Sequence, residues 1–278
     1  MHPSQYLPVI RRALEEDLGL AGDISAESAV PIDTVATARI VARRSGRLAG
    51  LEIARAVFFE VDPTLDVELH ATDGDEVEAG TVVGRVSGTA RSILTAERTA
   101  LNFLGRMSGV ATATARLVDA IAGTGVRVAD TRKTTPGLRA LEKYSVRMGG
   151  GINHRYGLFD AVMIKDNHIV AAGGIRAAVQ AAKARVGHTV KIEVEVTTLE
   201  QLAELIEVGA DVVLLDNMDL ATLKEAVRMV DGQMITEASG SITIDTILSI
   251  AETGVDIVSA GSITHSAPVL DVALDFDS

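Results

Sequence analysis

The sequence predicts an α/β protein whose second half is a run of βα units around a parallel sheet. Three observations predict it. Past residue 124, short apolar runs recur at 126–130, 161–166, 190–196, 211–216, 233–238 and 255–260, with helical patterns between several of them. The last four begin at 190, 211, 233 and 255, a spacing of 21 to 22 residues that suits one strand and one helix per repeat. Each run ends on polar residues, and in a (β/α) barrel such ends converge on one mouth. The repetition favours a barrel over a doubly wound sheet, although the six legible strands fall short of a closed eight-stranded one.

The first half reads differently. Residues 5–18 place Val9, Ile10, Ala13, Leu14 and Leu18 at helical spacing, stopped by Gly19. Residues 34–42 read as a strand, followed by a turn at Arg44–Gly46, and 51–61 read as a helix. Residues 65–71 alternate as a half-buried strand does, and 73–88 form a glycine-punctuated β segment. A long helical stretch runs from about Arg91 to Gly123 and is expected to break near Ser108–Gly109, where the two halves are expected to meet.

Composition narrows the function classes. The chain has 278 residues, 47% of them hydrophobic and 23% charged, in the range of globular proteins. It lacks cysteine, which excludes disulfide scaffolds, thiolate metal sites and cysteine nucleophiles. No apolar run reaches the roughly 18–20 residues of a membrane span, and the start lacks the apolar core of a signal peptide. A cytoplasmic enzyme without membrane contact is expected. The net charge of −12 and 3% aromatic content argue against nucleic-acid binding. Charge is nonetheless uneven: residues 127–168 carry eight Lys/Arg against four acids, with His154 and His168. An acidic chain with one basic island needs explaining.

The strand ends carry Asp130–Lys133, Lys165–His168, Glu193 and Glu195, Asp216–Asn217, Glu237–Ser239 and Ala260–Ser262. Cations come first, carboxylates next, and small or hydroxylic residues last. That division suits a substrate with several negative groups and a divalent cation held by carboxylates, as Mg²⁺ commonly is. Each residue taken singly also fits a solvated surface charge or ion-pair partner. Glu193 and Glu195 share one strand face, so both need cationic partners if that face is interior. Lys191 is one candidate partner for Glu193, and Glu195, nearer the strand end, is the better ligand. Arg132 suits a planar carboxylate and Lys133 a phosphate. The glycine loop 149–157 delivers His154 and Arg155. Residues 261–266 offer backbone N–H groups at an expected helix start, where His265 either faces ligand or caps. Glu97, Arg98 and Asn102 read as a solvated helix face. No dinucleotide, P-loop, zincin or nucleophile-elbow motif is present.

Several runs together resemble one family, quinolinate phosphoribosyltransferase, the carboxylating nicotinate-nucleotide pyrophosphorylases. They are Glu16–Ser25, Leu94–Thr112, DTRKTTPGLR (130–139), the EKY…GGGINHR run (142–155) and IKDNH (164–168). EVEV (193–196), LLDN (214–217), EASG (237–240) and residues 251–266 continue the match in order. The resemblance implies an N-terminal α/β sandwich domain (1–108), which residues 267–278 rejoin, and an irregular, incomplete α/β barrel (109–266) of about seven strands. It implies transfer of phosphoribosyl from phosphoribosyl pyrophosphate to quinolinate with loss of CO₂, in NAD biosynthesis. It also implies Mg²⁺ and a homodimer with shared active sites; members also form hexamers.

Carried over by resemblance, the quinolinate site falls on Thr131, Arg132, His154, Arg155 and Lys165, with Arg98 reaching in from a partner chain. The phosphoribosyl pyrophosphate side falls on Lys133, Lys165, Glu195, Asp216, Ser239, Gly240, Ser241, Gly261, Ser262 and His265, with Glu195 and Asp216 toward the metal. Many relatives carry glycine where this chain has Ser241; its backbone N–H survives, so phosphate binding is expected to persist with altered loop freedom. Three alternatives stand beside this reading: a Schiff-base barrel with Lys165 as nucleophile, a lipoyl-type binding module at 73–88 that lacks the lysine motif, and a family relative associated with molybdate transport.

Overall fold

The computed structural model describes residues 1–277. The chain opens with α1 (Pro3–Leu18), which begins in a capping box at His2 and stops at Gly19. There follow α2 (Ile24–Ala29), β1 (Val35–Ala42), β2 (Gly46–Arg47), α3 (Leu51–Val61), β3 (Asp66–Leu69), β4 (Glu76–Val77), β5 (Val82–Thr89) and α4 (Ala90–Ala120). The second stretch runs β6 (Arg127–Ala129), α5 (Arg139–Met148), β7 (Val162–Ile164), α6 (Asp166–Ala172), α7 (Ile175–Arg185), β8 (Ile192–Val196) and α8 (Leu199–Val208). It ends with β9 (Val212–Asp216), α9 (Leu220–Val230), β10 (Ile235–Ser239), α10 (Ile247–Ala251), β11 (Ile257–Ser259), α11 (Ser262–His265) and β12 (Val272–Phe276).

The chain divides into two compact units: unit 1 is Met1–Ala115, Thr134–Gly150 and Ile263–Ser278, and unit 2 is Arg116–Lys133 and Gly151–Ser262. Unit 1 holds an antiparallel sheet in the order β12-β1-β5-β3, so the C-terminal strand pairs with the first strand of the sheet. Phe58, Ile10, Ile40, Leu48, Ile93, Leu104, Met107 and Leu141 are among its core side chains, drawn from sheet and helices alike. Strand β4 pairs with β2, whereas β5 pairs with β1 and β3. Residues 73–88 therefore do not close on themselves as a lipoyl-type hairpin.

The expected break at Ser108–Gly109 does not occur: α4 is a single helix of 31 residues. Ser108 is fully buried and its hydroxyl accepts from the Ala49 N–H at 3.0 Å. Gly105 and Gly109 lie one turn apart and let the segment 268–270 lie directly on the helix, where Leu270 N–H donates to the Gly105 carbonyl at 3.0 Å. Both glycines serve close backbone approach, not helix termination.

Unit 2 is a six-stranded parallel sheet, β6-β11-β10-β9-β8-β7, with a single parallel bridge from Ile152 to Ala129 beyond β6. Among the described residues no pairing joins the two edges, so the barrel is open. The expectation of about seven strands meets six strands and that one-residue bridge. Val128, Ile192, Val194, Val196, Val213, Leu215, Ala238 and Val258 are buried on one face. Register and alternation put Glu193, Glu195, Asp216, Glu237, Ser239 and Ser259 together on the other. At the opposite strand ends, Asp211 accepts from Ile192 N–H and Asp256 from Thr236 N–H, each at 2.8 Å, and fixes where its neighbour starts.

A Gly109→Ala change tests the close approach. In an open helix it would stabilise by about 1 kcal/mol. Here the added Cβ meets the Pro268 carbonyl, and overpacking of this kind costs about 1–3 kcal/mol. We expect net destabilisation in denaturant unfolding; a variant as stable as the parent would contradict the packing described.

Candidate active site

The candidate site in unit 2 is built around His154. Asp130, at the end of β6 and fully buried, accepts from the His154 N–H at 2.8 Å and from Asn153 Nδ2 at 2.7 Å. This fastens the glycine loop to the sheet. The imidazole Nδ1 accepts from the Arg155 N–H at 2.8 Å, which places the ring proton on Nε2. That nitrogen lies 2.9 Å from Glu193 Oε2 and 3.6 Å from Glu237 Oε1.

Both carboxylates are buried, at 6% and 3% exposure. Two acids and one imidazole cannot all keep ordinary protonation out of water. Burial first, with Glu193 and Asp130 as negative neighbours, pushes the Glu237 carboxyl up to about 7; His154 and a Ser259 hydroxyl pull the other way. Lys191, one candidate partner for Glu193, instead bonds Asp211 at 2.7 Å at the far end of the strand.

Arg132 and Arg155 stand close enough to repel. Burial, then the charge of Arg132, lowers the pKa of Arg155, with Glu193 and Asp160 acting against both. The Arg155 Nε is buried with no hydrogen-bond partner, while its Nη1 reaches the Ala161 carbonyl at 3.3 Å. Thr131 Oγ1 accepts from Lys133 N–H at 3.0 Å and shapes the loop after β6; Lys133 is exposed.

Lys165, the N-cap of α6, ion-pairs with Glu195, and its N–H donates to His168 Nδ1 at 3.0 Å. His168 is thus a cap. A lysine held against a carboxylate is the opposite of the isolated apolar setting that activates a Schiff-base nucleophile. Asp216 accepts from Ser239 Oγ at 2.6 Å and from Asn217 Nδ2 at 2.8 Å. Gly240 has φ +100°, and any Cβ there would meet the Asn217 side chain. Ser241 also sits in the left-handed region, at φ 51°, where glycine is the less strained residue. Gly261 follows β11, and Ser262 opens the single-turn α11.

In unit 1, His265 ends α11 with its Nδ1 2.6 Å from Ser266 Oγ. Arg98 lies on α4 with a side chain 66% exposed, 3.9 Å from Glu97. The solvated reading of Arg98 describes this chain.

The structure therefore brings together Arg132 with Arg155, Lys165 with Glu195, and Asp216 with Ser239. It adds Asp130, Glu193 and Glu237 around His154. The sequence marks these three only as strand-end acids. The available signal is that Glu237 precedes Ser239 by two residues and so shares its face.

Two groups of donors can be weighed as metal sites. His154, Glu193 and Glu237 offer atoms all within 4.8 Å of one another. His154 Nε2 already bonds Glu193 Oε2 at 2.9 Å, although Glu193 Oε1 and Glu237 Oε1 are buried without a hydrogen-bond partner; a nitrogen donor suits zinc better than Mg²⁺. Glu195 and Asp216 end adjacent strands and offer hard oxygens alone. That set fits Mg²⁺ sharing substrate oxygens, not an all-protein cage.

Titration of Glu237 gives a prediction. From its ordinary 4.5 up to about 7, the folded chain holds a proton the unfolded chain has released. Stability therefore falls as pH rises through that window, by up to roughly 3 kcal/mol. Glu237→Gln should flatten this slope in urea unfolding between pH 5 and 7; an unchanged slope would refute the assignment.

Comparison with known proteins identifies the family. Residues 23–108 match the N-terminal domain of quinolinate phosphoribosyl transferase and residues 110–275 its C-terminal domain. A probable carboxylating nicotinate-nucleotide pyrophosphorylase of Bacillus subtilis is 42% identical over 275 residues, covering 99% of this chain and 94% of that protein. A chloroplastic carboxylating nicotinate-nucleotide pyrophosphorylase of Arabidopsis thaliana is 43% identical over 296 residues, covering 100% of this chain and 84% of that one. The solved nicotinate-nucleotide pyrophosphorylase of Francisella tularensis superposes with a TM-score of 0.96 at 40% identity, covering 100% of this chain and 98% of that one. The chain belongs to the quinolinate phosphoribosyltransferase family.

Proposed function

We propose that this chain transfers phosphoribosyl from phosphoribosyl pyrophosphate to quinolinate with decarboxylation, giving nicotinate mononucleotide, pyrophosphate and CO₂ for NAD biosynthesis. The observation that carries the reading is the pair Arg132–Arg155. Two guanidinium groups held near each other, one with a buried Nε lacking an acceptor, lower their mutual repulsion by taking up an anion. Quinolinate supplies two carboxylates on adjacent ring carbons, and arginine recognises a carboxylate bidentately.

In this reading Arg132 and Arg155 bind and orient the pyridine dicarboxylate, with Thr131 shaping their loop and His154 held in one tautomer beside them. The ring nitrogen forms a bond to ribose C1 as the bond from C1 to pyrophosphate breaks. The quaternised ring then accepts the electron pair left when the 2-carboxylate departs as CO₂, and C2 takes up a proton. Lys133, Lys165 and the backbone N–H groups of Gly240, Ser241 and Gly261, with Ser239, Ser262 and His265, serve the phosphate and ribose groups. Mg²⁺, held by Glu195 and Asp216 with substrate oxygens, would neutralise charge on the leaving pyrophosphate. Preorganised charge of this kind is usually the largest catalytic contribution.

A homo-oligomer with Arg98 entering the neighbouring copy's site is part of the proposal. So is a cytoplasmic location. Among the described residues no helix is long and apolar enough to cross a membrane.

Release of pyrophosphate and CO₂ in equal amounts from the two substrates with Mg²⁺ tests the activity; neither product would refute it. Arg132→Ala or Arg155→Ala should weaken quinolinate binding by about 2–5 kcal/mol, read by calorimetric titration. Unchanged affinity in both would sink the site. Arg98→Ala and Lys133→Ala should each be inactive alone and regain activity when subunits are mixed. Absence of complementation after verified exchange would count against shared sites.

A further inference from the structure

Arg106 and Glu142 have no role in the reading above, yet unit 1 spends a buried ion pair on them. The Glu142 side chain is 1% exposed and that of Arg106 22%. Desolvating such a pair is costly, so its use is better sought in the geometry it fixes than in stability.

Every guanidinium nitrogen of Arg106 is used. Nε and Nη2 donate to Glu142 Oε1 at 3.2 and 2.6 Å, Nη1 to the Ala267 carbonyl at 3.0 Å, and Nη2 also to Thr135 Oγ1 at 3.3 Å and to the Thr264 carbonyl. The other carboxylate oxygen of Glu142 accepts from Thr135 N–H at 3.0 Å. One side chain on α4 thus binds backbone on both sides of His265, and with Glu142 it also fixes Thr135, two residues after Lys133 in the chain.

The local physics makes this anchor necessary. Helix α11 has only four residues, too few to satisfy its own carbonyl groups, and a cation at a helix C-terminus supplies that need. Thr264 is fully buried while His265 beside it is exposed. The anchor holds the buried backbone and leaves the imidazole outward.

We propose that Arg106 and Glu142 are positioning residues for phosphoribosyl pyrophosphate. They set the segment bearing His265 and the loop that leaves Lys133, without touching substrate. This rests on the functional reading above.

Steady-state kinetics on the intact enzyme, with thermal unfolding of the same samples, tests it. Arg106→Lys keeps a cation for Glu142 but loses the fork. Glu142→Gln keeps the shape but turns one acceptor into a donor facing Thr135 N–H or Arg106. Both should raise the KM for phosphoribosyl pyrophosphate by roughly tenfold or more, or about 1.4 kcal/mol, while the KM for quinolinate changes far less. Arg106→Met should be worse than Arg106→Lys. Thr135→Val, the mildest change, keeps the test open where the charged variants fail to fold, and should raise the same KM by a few fold. A lowered unfolding temperature with both constants unchanged would make the pair merely structural and overturn the proposal, as would an equal rise in both. Wild-type enzyme that turns over neither substrate would instead refute the underlying functional reading, and the control shows this before any variant is compared.

Discussion

Carboxylates buried at the ends of a parallel sheet impose the constraint from which the rest of unit 2 follows. Asp130, Glu193 and Glu237 are each under 10% exposed, and charge removed from water must be paired, hydrogen-bonded or neutralised by a proton. His154 meets this need by facing Glu193 and Glu237 while its own N–H serves Asp130. Once the imidazole is fixed, the loop that carries it is fixed too, and Arg155 follows with its Nε buried. The acids thus spend their charge on orienting basic side chains. The net result is a cluster of basic side chains at one end of the sheet in an acidic protein.

The fold was largely legible because its periods are clean. The six strand candidates past residue 124 all form, at 127–129, 162–164, 192–196, 212–216, 235–239 and 257–259, since apolar runs of that length flanked by helical patterns have few alternatives. The helix at 51–61 forms over the expected residues. The break near Gly109 did not form because local propensity says nothing of a distant segment, 268–270, that needs the space a side chain would fill. The lipoyl-like reading of 73–88 fails for a related reason: both strands exist but pair elsewhere, and pairing is a long-range choice.

Within the site, the alternation of EVEV correctly put Glu193 and Glu195 on one face, but their partners were not legible from spacing. Lys191 shares that parity and still pairs at the other strand end with Asp211. The true partners, His154 and Lys165, lie on a loop and on a neighbouring element, and only the folded sheet brings them near. Glu237 was legible only as one strand-end acid among several, because burial, not sequence, makes a strand-end glutamate unusual. The basic island from Arg127 to His168 is more mixed than its charge suggests. Arg132, His154 and Arg155 are the residues proposed to bind the substrate anion, while His168 caps a helix.

The central claim is that unit 2 is arranged to recognise two adjacent carboxylates. Comparing quinolinate with nicotinate, which lacks the 2-carboxylate, measures this most directly. Calorimetric titration of the wild-type enzyme should show quinolinate binding at least roughly tenfold more tightly, a difference of about 1.4 kcal/mol or more. Equal affinity for the two acids would mean that the paired arginines do not read the second carboxylate, and would contradict the account.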